Sequence, residues 1–418
     1  MASNRLHQLA SHMNGQTASS TQIGIKSPND VVIVSAVRTA ITKGGKGGFK
    51  DTNPEVLLAA VLKAVVQRVN LDPSLVQDVA VGNVLLPGGG ATLARMSMLY
   101  AGYPESSSVV TVNRQCSSGL QAVTQIAAAI RDGTIDIGVG AGVDSMSKFY
   151  GALSNVKIED YNQEMLEQQN VRDCLLPMGI TSENVAHEFN ICRQKQDGFA
   201  VSSHQKAYAA QKNGYFNEEI IPVTTHIIDK DGTKRTIVVS QDDGIRPETT
   251  MDTLAKLRTV FKKNGTTTAG NASQISDGAG AVLLMKRSQA LEFGLPIIGK
   301  FITSAVIGVP PRIMGVGPAY AIPAAAKKAG IEVSDIDIFE LNEAFASQAV
   351  YCIEKLGIDI NKVNPKGGAI AFGHPLGATG ARQVSTLLTE LRRTGKKIGA
   401  TSMCIGSGMG MCAIFEAE

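Results

Sequence analysis

The chain has 418 residues, 44% hydrophobic and 18% charged, with a formal net charge of +3. This is an ordinary globular composition, long enough for two or three cores, and the charge is too small to imply a nucleic-acid partner. No apolar run approaches the roughly 18 residues of a membrane span, and the six cysteines form no C-x-x-C pair, so a reducing compartment fits better than a disulfide framework.

Residues 1–29 are rich in Ser, Gln, Asn and Thr and hold no acid. They read either as a disordered tail or as a targeting segment. Arg5, Leu9, His12 and Met13 fall near one side of a short helix. That pattern resembles the amino-terminal peroxisomal import signal and would imply an import receptor as a partner. Met13 departs from the usual final residue, and a segment with Arg and Ser but few acids also suits a mitochondrial presequence.

The ordered chain is expected to begin with a buried strand over residues 31–36, a β-branched run. Asn53 then caps a helix with Pro54 at its first position. The apolar stripe of that helix is Leu57, Leu58, Val61, Leu62 and Val65. A strand near 79–84 follows. A helix over 116–131 carries Leu120, Val123, Ile126, Ala127 and Ile130 on one face, and a strand over 135–140 comes next. Strands alternating with helices predict a parallel α/β layer.

Residues 147–266 break this plan. They are rich in Gln, Lys, Glu and Asn, and 195–213 reads as an exposed amphipathic helix. The segment is either a lid or loop domain inserted over a site, or a separate surface domain. Beyond it the plan repeats. Val76-Gln-Asp-Val-Ala-Val81 is matched by Val333-Ser-Asp-Ile-Asp-Ile338. Cys116 follows Val79 by 37 positions and His374 follows Ile336 by 38. A duplicated fold would set both residues at equivalent strand-to-helix corners, where α/β sites usually lie. The expected units are 1–29 as the leading segment, 30–146 with 267–292 as one half, 147–266 as the insertion, and 293–418 as the other half.

Four segments could carry chemistry. Cys116, in Asn113-Arg-Gln-Cys116-Ser-Ser-Gly119, opens a helix, where the dipole and free N–H groups favour a thiolate nucleophile. It could equally be a small buried Cys packed on the sheet. His374 stands in a glycine-rich turn, Gly373-His374-Pro-Leu-Gly377, where it could serve as a base or hydrogen-bond donor. Cys404, in Cys404-Ile-Gly406-Ser-Gly408, follows a strand. Glycines there let a backbone approach a ligand with its N–H groups, and the Cys is either a second acid/base or buried packing. Asn342, in Asn342-Glu-Ala-Phe345, ends a strand, either as a helix cap or as a site residue. Cys116, His374 and Cys404 have no spacing typical of metal ligands, and no metal is expected.

Together these four segments resemble the thiolase family, over residues from about 31 to the carboxy terminus. The Arg-Gln-Cys-Ser-Ser form, with Met178-Gly-Ile-Thr-Ser-Glu-Asn184, is most similar to its peroxisomal, 3-ketoacyl-CoA-cleaving branch. The resemblance implies an α/β thiolase fold: two duplicated halves in five αβαβα layers, a loop domain inserted in the first, and a homodimer or tetramer. It implies cleavage of 3-oxoacyl-CoA by CoA in β-oxidation, with CoA as a substrate and no cofactor. Cys116 would be the acylated nucleophile and His374 its activator. Cys404 would be the acid/base at the departing carbon. Asn342, through a water, and His374 would hold the thioester oxygen. The N–H groups of Cys116 and Gly406 would form the second oxyanion hole. Arg246, Ser273, Phe345 and Met178 would contact CoA. Two other activities are open: an acetoacetyl-CoA thiolase working in the condensing direction, and a non-catalytic acyl-CoA or lipid carrier. Pro177 and Asn342 stand where those relatives would carry His-containing alternatives.

Overall fold

The computed structural model describes residues 22–151 and 157–418. Arg5, Leu9, His12 and Met13 lie outside the described residues.

The first half opens with β1 (Val31–Thr39), buried along its whole length. Helix α1 (Pro54–Gln67) follows, with every residue of the expected stripe buried. Asn53 occupies the cap position, but its side chain makes no capping hydrogen bond. Pro54 has no N–H, which leaves one donor fewer to satisfy. Next come β2 (Asp78–Gly82), α2 (Ala91–Tyr100), β3 (Ser108–Val112), α3 (Ser118–Asp132) and β4 (Ile137–Ser145). The intervening segment holds α4 (Met178–Glu188), α5 (Arg193–Lys212) and a hairpin of β5 (Val223–Ile228) and β6 (Lys234–Val239). Strand β7 (Ser276–Lys286) returns to the first half. The second half runs β8 (Gly299–Gly308), α6 (Gly317–Ala329), β9 (Ile338–Leu341), α7 (Ala346–Leu356), α8 (Thr379–Thr394), β10 (Ile398–Ile405) and β11 (Met409–Ala417).

The β5–β6 hairpin is a sheet of its own, and the other strands form one connected sheet in the order β9-β10-β11-β8-β1-β7-β4-β2-β3. It is mixed rather than parallel. β3, β2 and β4 run parallel, as do β9 and β10, but β7, β1, β8 and β11 pair antiparallel with their neighbours. The reason is local: Gly406 to Gly408 joins β10 to β11 by a turn too short for anything but a hairpin. The halves have matching orders, β3-β2-β4-β7-β1 and β9-β10-β11-β8. A parallel bridge from Phe339 to Val363 stands where β3 stands in the first half.

Side chains alternate across each sheet, so three apolar layers result. One lies between α1 and the first half's strands, with Leu58 and Leu62 against Val79 and Leu283. A central one joins Leu120, Val123 and Ile126 of α3 to Val384, Leu387 and Leu391 of α8. The third packs Ile322 and Val350 on Phe339 and Ile414. Helices and sheets therefore stack in five layers.

Helices α3 and α8 meet at their N-terminal ends. A Cβ on Gly119 would lie 2.6 Å from the Gly377 carbonyl oxygen, and one on Gly380 would overlap the Leu120 nitrogen. Only hydrogen at these positions lets the two backbones come this close. The corners preceding the helices, which carry Cys116 and His374, are thereby brought side by side.

Helix α5 is less exposed than its polarity suggests. Gln196, Asp197, Ala200, Ser203, His204 and Ala207 are buried. Buried ion pairs fix the surrounding segment to both halves. Arg38 of β1 donates to Glu219 Oε1 at 2.8 Å and to both oxygens of Asp242 at 2.8 and 2.9 Å. Lys366 donates to the other oxygen of Glu219 at 3.0 Å.

Candidate active site

Cys116 lies in a short 3-10 turn, Gln115–Ser117, ahead of α3, and is 8% exposed. The N–H groups of Gly406 and of Cys116 itself are directed at its sulfur. These donors and the helix end favour a thiolate, as the sequence suggested, but burial outweighs them and pushes the thiol up to about 11. Burial thus favours the thiol form of Cys116.

His374 is 4% exposed, and burial, with Arg382 nearby, pushes its imidazole down to about 3. Its tautomer follows from its partners. Thr379 Oγ1 donates to the Pro375 carbonyl at 3.1 Å, which leaves its lone pairs to accept from His374 Nδ1 at 2.6 Å. Nε2 is then the unprotonated nitrogen, and Asn342 Nδ2 donates to it at 3.2 Å. His374 is thus a neutral imidazole whose unprotonated Nε2 accepts from Asn342, and it takes up a proton only as that bond is given up. Asn342 is fixed by its own N–H, which donates to the Ser402 carbonyl at 2.8 Å.

Cys404 is fully buried in the wall made by Met314, Ala344 and Phe345. Its thiol donates to Gln348 Oε1 at 3.7 Å. Burial and the neighbouring Cys116 push it well above the ordinary thiol range. Cys404 therefore stands protonated, with a proton that only a strongly basic centre such as a carbanion would take.

A cavity of about 1440 Å³ opens over these groups. Cys116, His374, Met178, Ser273 and Phe345 line it, with Phe261 set edge-on to Phe345 at 6.5 Å between centroids. Cys404, Asn342 and Gly406 stand just behind the lining, reaching it through Cys116 and His374. Arg246 is the exception among the expected residues. It is exposed and off the cavity wall, and its N–H donates to His204 Nδ1 at 3.1 Å.

Sequence reasoning missed several residues that hold this geometry. Asp144 is the clearest. Its carboxylate accepts from the N–H groups of Leu85 at 3.1 Å, Val84 at 3.1 Å and Gly377 at 2.7 Å, tying the His374 turn to the first half. Burial pushes it up to about 7. An acid near the end of an otherwise apolar strand was the available signal, because a buried carboxyl requires partners. Thr379 and Gln348 were missed because their partners are distant or lie across a turn.

Two facing corners thus bring a buried thiol, a neutral histidine and a second thiol to one cavity, groups whose chemistry suits acyl transfer. Residues 31–288 match the family model described as Thiolase, N-terminal domain, and residues 295–417 match Thiolase, C-terminal domain. The chain belongs to the thiolase family. It is 57% identical over 426 residues to 3-ketoacyl-CoA thiolase A, peroxisomal, of Rattus norvegicus, covering 99% of this chain and 97% of that one. The crystal structure of the dimeric peroxisomal thiolase of Saccharomyces cerevisiae superposes with a TM-score of 0.87 at 52% identity, covering 94% of this chain and 99% of the yeast chain. Human mitochondrial 3-ketoacyl-CoA thiolase in complex with CoA superposes with a TM-score of 0.82 at 36% identity, covering 94% and 98%.

Proposed function

We propose that this chain cleaves 3-oxoacyl-CoA with CoA, releasing acetyl-CoA and an acyl-CoA two carbons shorter, as a peroxisomal 3-ketoacyl-CoA thiolase of fatty-acid β-oxidation. The observation that carries the residue roles is the meeting of Cys116 and His374 in one cavity, with the Gly406 N–H on the sulfur.

His374 Nε2 takes the Cys116 proton as the sulfur attacks the C3 ketone. The N–H groups of Cys116 and Gly406 hold the resulting alkoxide, and such donors are worth roughly 10²–10³ in rate each. Collapse of the alkoxide breaks the C2–C3 bond. The electron pair moves into the thioester enolate, held by protonated His374 and by Asn342 through a water. The Cys404 thiol gives its proton to C2, and acetyl-CoA departs. The thiol of CoA then passes its proton to Cys404 and attacks the acyl-Cys116 thioester. The second tetrahedral intermediate collapses, and Cys116 recovers its proton from His374. Every proton returns to its donor. Neutral resting groups suit this sequence, because each charge forms only where a partner receives it.

Ser273, Phe345 and Met178, which line the cavity, are the residues that would contact CoA. Residues 147–266 act as a loop domain between halves of 30–146 with 267–292 and 293–418, the chain works as a homodimer, and an import receptor reads the leading segment. A thiolysis assay with 3-oxoacyl-CoAs of medium and long chain tests the function. Turnover across chain lengths is expected, whereas strict preference for acetoacetyl-CoA, or binding without turnover, would contradict it.

A further inference from the structure

The two donors assigned to the oxyanion hole come from different halves, Cys116 from the first and Gly406 from the second. Their relative position decides whether both reach one oxygen. The residues beside them are unusual. Gln115, immediately before Cys116, has φ +46, and Ser407, immediately after Gly406, has φ +58. Both are non-glycine residues in the left-handed region, which persists only where surrounding contacts enforce it.

Those contacts are present, and they link the two residues to each other. Gln115 Nε2 donates to Ser407 Oγ at 3.1 Å, and Ser407 Oγ donates to the Gly406 carbonyl at 2.6 Å. The hydroxyl proton and a lone pair are thus both assigned. The Gln115 backbone is held from two sides: its N–H donates to Asn113 Oδ1 at 2.9 Å, and its carbonyl accepts from Ser118 Oγ at 2.6 Å. That carbonyl shares a peptide plane with the Cys116 N–H, so the Ser118 bond also aims the donor. The Gln115 side chain lies directly over Gly406, where a Cβ would overlap its Oε1.

We propose that Gln115 and Ser407 are positioning residues, a side-chain clamp across the two halves that holds the Cys116 and Gly406 N–H groups at one oxyanion. The proposal rests on Cys116 being the nucleophile.

The test uses the full-length enzyme and the variants Gln115→Met, Ser407→Ala and the double variant, with Cys116→Ala as control. Rapid-quench acylation by a 3-oxoacyl-CoA is compared with alkylation of Cys116 by iodoacetamide at pH 9. Acylation passes through a tetrahedral oxyanion; alkylation, a displacement at carbon, does not. Each single variant is expected to slow acylation by roughly tenfold to a hundredfold, the scale of an approximately 1 Å misplacement. Alkylation, which the same N–H groups favour only through the thiolate, should fall several-fold less than acylation, and KM should stay within about twofold. The double variant should be no more than about twofold slower than the worse single variant, because the Gln115–Ser407 bond is lost in each. Wild-type acylation in both single variants, additive losses, or alkylation falling in step with acylation would overturn the clamp. An active Cys116→Ala enzyme would instead overturn the reading beneath it, and the two failures are therefore distinguishable.

Discussion

Asn83 follows β2 in the first half, and Asn342 follows β9 in the second. Asn83 Nδ2 donates to the Gly89 carbonyl at 2.9 Å and so holds a turn, whereas Asn342 Nδ2 donates to His374 at 3.2 Å and so holds a base. The corners differ in the same way, with Cys116 before α3 and His374 before α8. The two halves have the same strand order and comparable apolar layers. What separates them is the group displayed at each corner. Burial acts on both groups alike, raising Cys116 to about 11 and lowering His374 to about 3. On the proposed roles, the duplicated scaffold carries the nucleophile at one corner and the base at the other.

The sharpest way to break this division is to remove each corner separately. Cys116→Ala should reduce kcat by roughly 10⁴-fold or more, since no other group replaces the nucleophile. His374→Ala should cost roughly 10²–10⁴-fold. Steady-state thiolysis rates would show it, and equal, small losses would contradict separate roles.

The ion pairs that join the halves to the inserted segment come next. Burial alone would raise the Glu219 carboxyl, but Lys366 and Arg38 outweigh it and hold it at about 2. Glu219→Gln leaves the Lys366 charge buried without a counter-ion and should destabilise the fold by roughly 3–5 kcal/mol, measured by denaturant unfolding. In the unmodified protein this contribution is complete above the ordinary carboxylate range. It is lost as pH falls from about 4 towards 2.

The paired asparagines sharpen the comparison further. Asn342→Ala should lower kcat by roughly tenfold to a hundredfold with little change in KM. Asn83→Ala should leave kcat within about threefold and lower stability by about 1 kcal/mol. Equal kinetic effects would mean that the equivalence extends to function.

A smaller effect concerns protonation. Because the Cys116 thiol lies near 11, its alkylation by iodoacetamide should rise by about tenfold per pH unit from 7 to 10. A plateau reached by pH 7 would indicate a resting thiolate–imidazolium pair.

Much of this was legible in the chain itself, for identifiable reasons. The stripe from Leu57 to Val65 is a local periodicity and proved structural. The match of Val76–Val81 to Val333–Ile338 found the repeat but three residues out of register: Val76 closes the turn Pro73–Leu75 as Ile336 closes Val333–Asp335, and β2 starts at Asp78 where β9 starts at Ile338. Cys116 and His374 stood out because helix starts and glycine-rich turns are visible in sequence. The sheet's mixed direction was not, because strand direction depends on connections such as the turn from β10 to β11. The thiol's raised proton affinity was also hidden: a helix end can be seen in sequence, whereas burial arises from residues far along the chain. Asp144, Gln115 and Ser407 act through partners up to 292 positions away, a distance no local pattern reports.

The most direct measurement is mass spectrometry of the enzyme mixed with a long-chain 3-oxoacyl-CoA in the absence of free CoA. The expected result is an acyl group two carbons shorter than the substrate's, attached at Cys116, and lost when CoA is added. An unmodified Cys116, or the full-length chain carried on another residue, would contradict the account.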